Sequence, residues 1–366
     1  MKISLITLHR IYNYGSVLQA YASQVVLEQQ GYEVEIVDYI TQQRTLKRIF
    51  FSTPSNLRMS IPQLVVYRFL KFFSVALKEL TFGRFVRTKL KLSKKYITID
   101  DLLKNPPKAD FYMTGSDQTW NSTYNEGIDR GFFLDFVPEN AKRISFVSSF
   151  GKSVLEDYEI CKTKELLSRY SALSVREDAA VDILSSLGLA GVQLIDPTLQ
   201  ITKDVWKSIA SKRLVKEPYL VLMLLYNEDN GATEYARKIA DQKGLTLVKI
   251  SWELKKPPLV DKLFTHRSPE DFLSLFSEAE FIVTNSFHGT AFAINFEKQF
   301  LVIPRNEYNS RITSLLKLCG LKNRLVSSEE SAIKECESVI DYEKVRLILD
   351  EERQRVFEFL DSALKV

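Results

Sequence analysis

Ile3-Ser-Leu-Ile-Thr-Leu8, the loop His9-Arg-Ile-Tyr-Asn-Tyr-Gly15, the stretch Ser16 to Gln30 and Val34-Glu-Ile-Val37 decide the fold class. The first and last are short apolar runs of strand length. Between them, Val17, Leu18, Tyr21, Val25 and Leu27 fall near helical spacing, and Gly31 supplies a C-terminal stop. Strand, helix and strand make a βαβ unit. Such a unit implies a parallel sheet whose ligand-binding loops lie at the carboxyl ends of its strands.

Outward from that unit, Thr41 to Lys95 breaks the rhythm with a basic stretch rich in Phe and Leu, read as an inserted helical region rather than part of the sheet. The α/β pattern resumes with strands at Phe111–Thr114, Ile144–Ser148, Leu173–Val175 and Val192–Ile195. A second α/β unit opens near Glu217-Pro218, with strands at Tyr219–Leu225, Leu245–Ile250, Phe281–Thr284 and Phe300–Ile303. A long helix is expected from about Tyr342 to Leu364. The expected architecture is α/β, two Rossmann-like domains facing across a cleft. Residues 1–205 form the first, with a basic helical insertion at about 41–108, residues 206–340 the second, and 341–366 a C-terminal helix. No solenoid repeat or low-complexity tract interrupts this plan.

Bulk properties agree with two globular domains: 366 residues, 45% hydrophobic and 26% charged. Cys161, Cys319 and Cys336 lie far apart without CxxC spacing, which argues against a disulfide framework or cysteine zinc site and suits a reducing compartment. The first residues lack a signal-peptide pattern, and no run reaches the roughly 18 apolar residues of a membrane span. A cytoplasmic location is expected. The net charge of +4 is unevenly placed: thirteen Lys/Arg and one acidic residue, Glu79, lie between Arg44 and Lys95. That asymmetry points to a surface that meets something anionic.

Four strand-end loops carry polar residues that packing does not require. Asn13-Tyr-Gly15-Ser16 opens the first helix, where a glycine lets backbone N–H groups approach an anion. The plain alternative is an N-cap by Asn13 or Ser16. Thr114-Gly-Ser116-Asp117-Gln118-Thr-Trp120-Asn121 groups small, carboxylate, amide and indole side chains suited to binding and stacking on a sugar. In it Asp117 is a candidate base for a hydroxyl, and an Asx-turn with a structural Trp is the alternative. Arg176, in Ser174-Val-Arg-Glu177-Asp178, suits bidentate binding of carboxylate or phosphate, or else an ion pair with its acidic neighbours. In Phe281-Ile-Val-Thr-Asn-Ser286-Phe-His288-Gly289-Thr290, His288 is expected in the turn before a helix starting around Gly289, where imidazole can move a proton. The alternative is a histidine that satisfies a backbone carbonyl. The other two histidines, His9 and His266, have no comparable setting, and nothing resembles HExxH, a facial triad or GxSxG. Arg305 and Arg311 follow the next strand and are placed to bring guanidinium groups to the same cleft.

Together these loops resemble the polysaccharide pyruvyl transferase family. The carrying residues are Asn13-Tyr-Gly-Ser-Val-Leu-Gln-Ala20, Gly115-Ser-Asp-Gln-Thr-Trp-Asn121, Ser174-Val-Arg-Glu177, Asp196-Pro-Thr198 and Asn285-Ser-Phe-His-Gly-Thr290, in the family's order. The resemblance runs from residue 7 to about residue 324 and leaves out the basic insertion and the terminal helix. It implies a glycosyltransferase-B-like fold. It also implies transfer of a pyruvyl group from phosphoenolpyruvate to a sugar of a surface polysaccharide or its lipid-linked precursor, giving a pyruvate ketal and phosphate. No cofactor or metal is expected, with phosphoenolpyruvate as co-substrate. His288 would be the general acid and Asp117 would activate the sugar hydroxyl. Arg176, Arg311, Ser286, Gly289, Asn13, Gly15 and Ser16 would hold the donor, and Ser116, Gln118, Trp120 and Asn121 the acceptor.

Many relatives have Arg-Leu-His where this chain has Ser286-Phe287-His288, so an anion ligand is missing that Arg305 or Arg311 would have to replace. Two other functions fit the same pattern: a glycosyltransferase using a nucleotide sugar, and a non-catalytic carbohydrate-binding or assembly protein. For the basic insertion, a helical subdomain capping the cleft competes with peripheral contact at an anionic inner membrane face. Nucleic acid is not expected as a partner, because no binding module accompanies the charge.

Overall fold

Apolar runs without polar alternation can be buried on both faces only in a sheet covered by helices on both sides, and both sheets here are entirely parallel. The computed structural model describes residues 1–41, 60–226, 228–253, 255–306 and 309–365. The part of the expected insertion at 42–59 therefore lies outside the described residues. The first sheet contains β1 (Lys2–Ile6), β2 (Glu33–Tyr39), β3 (Leu92–Tyr96), β4 (Phe111–Asp117), β5 (Lys142–Ser148), β6 (Ala172–Val175) and β7 (Val192–Gln193). Its order is β3-β2-β1-β4-β5-β6-β7. The second contains β8 (Tyr219–Met223), β9 (Thr246–Ser251), β10 (Lys262–Thr265), β11 (Phe281–Thr284) and β12 (Gln299–Val302), in the order β10-β9-β8-β11-β12.

In each sheet the winding reverses beside the first strand, between β1 and β4 and between β8 and β11. Those reversals open crevices at the carboxyl ends, where ligands of such sheets bind. Leu5 stands between Ile36 and Met113 in the first register, and Val283 between Leu222 and Leu301 in the second.

The two halves share one continuous core. Tyr14 stacks on Phe272 at 4.5 Å, Phe272 meets Phe292 at 5.3 Å, and Trp206 bridges Phe292 at 5.0 Å and Tyr21 at 5.8 Å. This aromatic seam runs from the helix Tyr14–Gln29 into the helices Pro269–Ser277 and Phe287–Asn295. Beside it, Asn295 donates to the Thr198 and Ile201 carbonyls at 2.7 and 2.9 Å. The last helix, Tyr342–Ala363, begins against the second half, where the Tyr342 hydroxyl donates to the Lys298 carbonyl. It then returns to the first half, with Arg353 donating to the Leu199 carbonyl at 3.0 Å and Arg355 to that of Gln193 at 3.2 Å.

The basic insertion differs from expectation. It is helical over Ile61–Lys78, passes through a π-helical turn at Glu79–Gly83 and continues as Arg84–Lys89. The chain then rejoins the sheet as β3, paired with β2 through Ile36–Leu92 and Tyr39–Tyr96. Exposed Lys94 and Lys95 obscure the strand pattern in Leu92-Ser-Lys-Lys-Tyr96, yet lysines suit an edge strand because they discourage further pairing. β10, with only partly buried apolar residues, likewise lacks a strand pattern in the sequence.

Asn295→Ala should cost about 1–3 kcal/mol, because the Ile201 carbonyl loses its Asn295 donor and the Thr198 carbonyl keeps only the Trp206 indole N–H. Urea unfolding followed by circular dichroism would measure it, and a loss below half a kcal/mol would contradict the joint's importance.

Candidate active site

Loops from both crevices meet. After β1, the Asn13 carboxamide oxygen accepts from the Ser16 N–H at 2.8 Å and caps the helix Tyr14–Gln29. Asn13 is thus a cap rather than a donor ligand. Gly15 is not an anion cradle either: a Cβ there would overlap the His288 imidazole, so its bare Cα makes room for a ring arriving from the other half. The Ser16 hydroxyl donates to Asp117 at 2.6 Å.

At the end of β4, Asp117 has φ of +67°, a left-handed conformation that a non-glycine residue adopts at a cost, often at functional sites. The acceptor set expected in this loop divides. Trp120 is 2% exposed, stacks on Phe133 at 5.7 Å and donates its indole N–H to the Phe132 carbonyl. It is a core residue and offers no face to a sugar. Asn121 caps the short helix Ser122–Asn125 and is buried. Ser116 approaches Asp196 at 3.4 Å. The Gln118 carboxamide, with its oxygen toward Arg311, accepts from that guanidinium at 3.0 and 3.1 Å.

Arg176 follows β6 and is the hub of the first half's contribution. Its Nη1 donates to Asp196 Oδ2 at 2.8 Å, its Nη2 lies 3.5 Å from Asp117, and its Nε lies 3.7 Å from Glu177 without a hydrogen bond. Burial alone would lower its pKa, but Asp196, Asp117 and Glu177 outweigh that and raise it. Burial likewise works against ionisation of Asp117 and Asp196, yet the neighbouring cations hold both carboxyls below their usual range. Asp196, in the loop after β7, also caps the following turn by accepting from Thr198 N–H and hydroxyl at 2.9 and 2.7 Å.

From the second half, β11 leads directly into the helix Phe287–Asn295, capped by Ser286. The helix starts two residues before Gly289, so His288 sits inside its first turn rather than ahead of it. Ser286 accepts from the Gly289 N–H at 3.3 Å, which commits both expected donor ligands to capping. His288 Nε2 lies 3.8 Å from Asp196 Oδ2 and makes no hydrogen bond. Burial pushes the imidazole down to about 4; Asp196 and Asp117 oppose this, while Arg176 and Arg311 add to it. It is therefore neutral near pH 7.

Phe287 offers one ring to both guanidinium groups, Arg176 at 4.7 Å and Arg311 at 5.8 Å. Of the two arginines proposed to replace the missing one, Arg305 is taken: it grips Glu228 at 2.9 and 3.2 Å and lies over Tyr226. Arg311 is not. Its polar partner is the Gln118 amide, and no carboxylate among the described residues comes within ion-pair distance. His9 also differs from expectation, being fully buried with its ring nitrogens on Thr7 carbonyl and Asp38, beside an Arg10–Asp38 pair. Asp196, Glu177 and Phe287, quoted within the sequence motifs but given no ligand-binding role there, complete the site. Asp196 had a legible signal, since Asp-Pro-Thr after a strand reads as cap plus first-turn proline.

Two parallel sheets whose reversal points face one another across this cluster define a glycosyltransferase-B-like protein. Residues 13–307 match the sequence model of the family described as polysaccharide pyruvyl transferase, and the chain belongs to that family. Its fold is similar to that of UDP-N-acetylglucosamine 2-epimerase from Rickettsia bellii, at 10% identity and a TM-score of 0.54 over 99% of this chain and 97% of that one. MurG from Acinetobacter baumannii aligns over 100% of this chain and 99% of its own at 11% identity and a TM-score of 0.44. At such identities the likeness concerns fold alone. No curated protein matches the sequence.

The depressed pKa of His288 has a stability consequence. Between about pH 6.5 and about 4 the unfolded chain binds a proton that the folded histidine refuses, so stability falls as pH drops through that window. The full difference is on the order of 3 kcal/mol. A His288→Asn protein should lose less stability than wild type between those pH values in paired urea titrations. Parallel curves for the two would show that the histidine is not held neutral.

Proposed function

We propose that this protein transfers a pyruvyl group from phosphoenolpyruvate to a sugar of a surface polysaccharide or its lipid-linked precursor. What carries the reading is the pairing of Arg311, a cation with no carboxylate partner among the described residues, with the unpartnered Nε2 of His288. A small ligand bearing both a phosphate and a carboxylate would meet a charge-assisted donor and a proton carrier together. His288 and Arg176 also converge on one oxygen of Asp196, at 3.8 and 2.8 Å, a separation that one small ligand can span.

In this reading a proton passes from His288 to the methylene carbon of phosphoenolpyruvate while a sugar hydroxyl oxygen bonds to the central carbon. The carbon–phosphate oxygen bond then breaks, phosphate leaves, and a second hydroxyl closes the ketal. The two hydroxyl protons balance the one delivered to the methylene and the one retained by phosphate. Asp117, kept ionised by Arg176 and the Ser16 hydroxyl, accepts a hydrogen bond from the attacking hydroxyl better than it removes the proton outright. Arg311 takes the phosphate, and Arg176 serves chiefly to hold Asp117 and Asp196 in place.

A neutral histidine cannot deliver a proton, so donor binding must supply the missing charge. An anionic ligand neutralises Arg311 and raises the histidine's affinity for a proton. Binding of phosphoenolpyruvate near pH 7 should therefore take up a proton at His288 and weaken as pH rises. Calorimetry in buffers of different ionisation enthalpy should show that uptake in wild type and its loss in His288→Asn. Equal uptake in both would remove the histidine from the acid role.

The reaction itself is tested by phosphate release from phosphoenolpyruvate that depends on a sugar acceptor. Arg311→Ala should weaken phosphoenolpyruvate binding by roughly 10- to 100-fold, the value of one charge-assisted contact. Unchanged affinity would refute the assignment of Arg311. Thermal stabilisation by nucleotide sugars and not by phosphoenolpyruvate would favour a glycosyltransferase on the same fold.

A further inference from the structure

The helix Ile61–Lys78 is turned inside out. None of its residues is buried, and its large apolar side chains face solvent: Val65 is 62% exposed, Phe69 62%, Phe73 50% and Leu77 39%. Ile61, Val66, Leu70 and Leu80 extend the same face, since spacings of three and four residues place these positions on one side of a helix. The other side meets the protein through Lys78, whose ammonium lies over the Trp252 ring at 4.5 Å. The helix is anchored at its end, where Phe82, Phe85 and Val86 are fully buried in the main core. A rigid stem thus holds an apolar face outward.

The occupant of that face is indicated by charge. The segment from Arg44 to Lys95 carries thirteen basic residues and one acidic one. A second copy of the chain docking face to face would bring two such segments together, and like charges would oppose the contact. An anionic bilayer surface satisfies both features. Phe, Leu and Val enter the acyl boundary while Lys and Arg meet the headgroups. Among the described residues no helix is long and apolar enough to cross a membrane, so this mode of contact lies in the plane of the surface.

We infer that the face formed by Val65, Phe69, Phe73 and Leu77 docks this protein onto anionic lipid bilayers. The face runs down to Leu80, on the rim of a cavity of about 490 Å³ that Arg84, His266 and Arg267 also line, so docking brings that opening to the lipid surface. The inference is independent of the pyruvyl donor and is read without turnover.

The test is co-sedimentation of the full chain with phosphatidylglycerol–phosphatidylcholine vesicles and with pure phosphatidylcholine vesicles. Salt should be about 50 mM and then about 500 mM, which spans weak to strong screening. Binding is expected to anionic vesicles at low salt, to fall with salt, and to drop at least tenfold in Phe69→Asp/Phe73→Asp. That variant should keep the wild-type melting temperature, because neither ring is in the core. No sedimentation of wild type with anionic vesicles at low salt would overturn the inference. So would light scattering that shows a dimer dissolved by the double variant. A loss of thermal stability in that variant, without vesicle binding by wild type, would overturn it too, since the face would then serve the chain's own folding.

Discussion

Burying one guanidinium away from water costs several kcal/mol unless carboxylates and hydrogen bonds compensate it. Arg176 is buried in this way, and Asp117, Glu177 and Asp196 are what make it tolerable. The consequence is structural before it is chemical. The carboxylates come from the ends of β4, β6 and β7, so the ion cluster fixes three strand-end loops against one another. Asp196 extends that constraint beyond the first sheet. Its second oxygen caps the turn Pro197–Gln200, which packs on the helices Tyr14–Gln29 and Phe287–Asn295, one from each half. Removing the carboxylate would loosen the site and the joint between the halves at once.

The second half enters this cluster with a neutral group and a cation. His288 is seated on Gly15, a position whose only apparent demand is the absence of a side chain. The imidazole is too enclosed to hold a proton and too close to Asp196 to be indifferent to charge. Arg311, stacked with Arg176 on the Phe287 ring, is repelled by its neighbour and gains most from an incoming anion. A site of this kind is charged but unbalanced, so an anion bound at Arg311 would ease protonation of His288.

Much of the fold was legible because buried parallel strands are simple apolar runs. Phe281–Thr284 needed no adjustment, and the boundaries of the last helix moved by one residue. β3 escaped because its lysines resemble a solvated helix, and β10 because little of it is buried. The site was legible at the level of loops but not of roles. Asn13, Asn121 and Ser286 have side chains that bind ligands and cap helices equally well, and only the backbone geometry that follows each of them distinguishes the two. Trp120 presents the same ambiguity between a stacking platform and a core ring. Either Arg305 or Arg311 could replace the missing guanidinium as far as sequence position goes, and Glu228, distant along the chain, takes Arg305 out of that role.

The path of the chain between the halves has a mechanical consequence. It passes from first to second half between Ile201 and Val215, and passes back along the helix Tyr342–Ala363, whose start touches Lys298 and whose later turns touch Leu199 and Gln193. Two such crossings tie the halves at two separate places. Twisting or sliding one half on the other would strain the aromatic seam and the helix together. The His288–Gly15 contact is a further tie between the halves, so any displacement there would also change the environment that sets the histidine's charge.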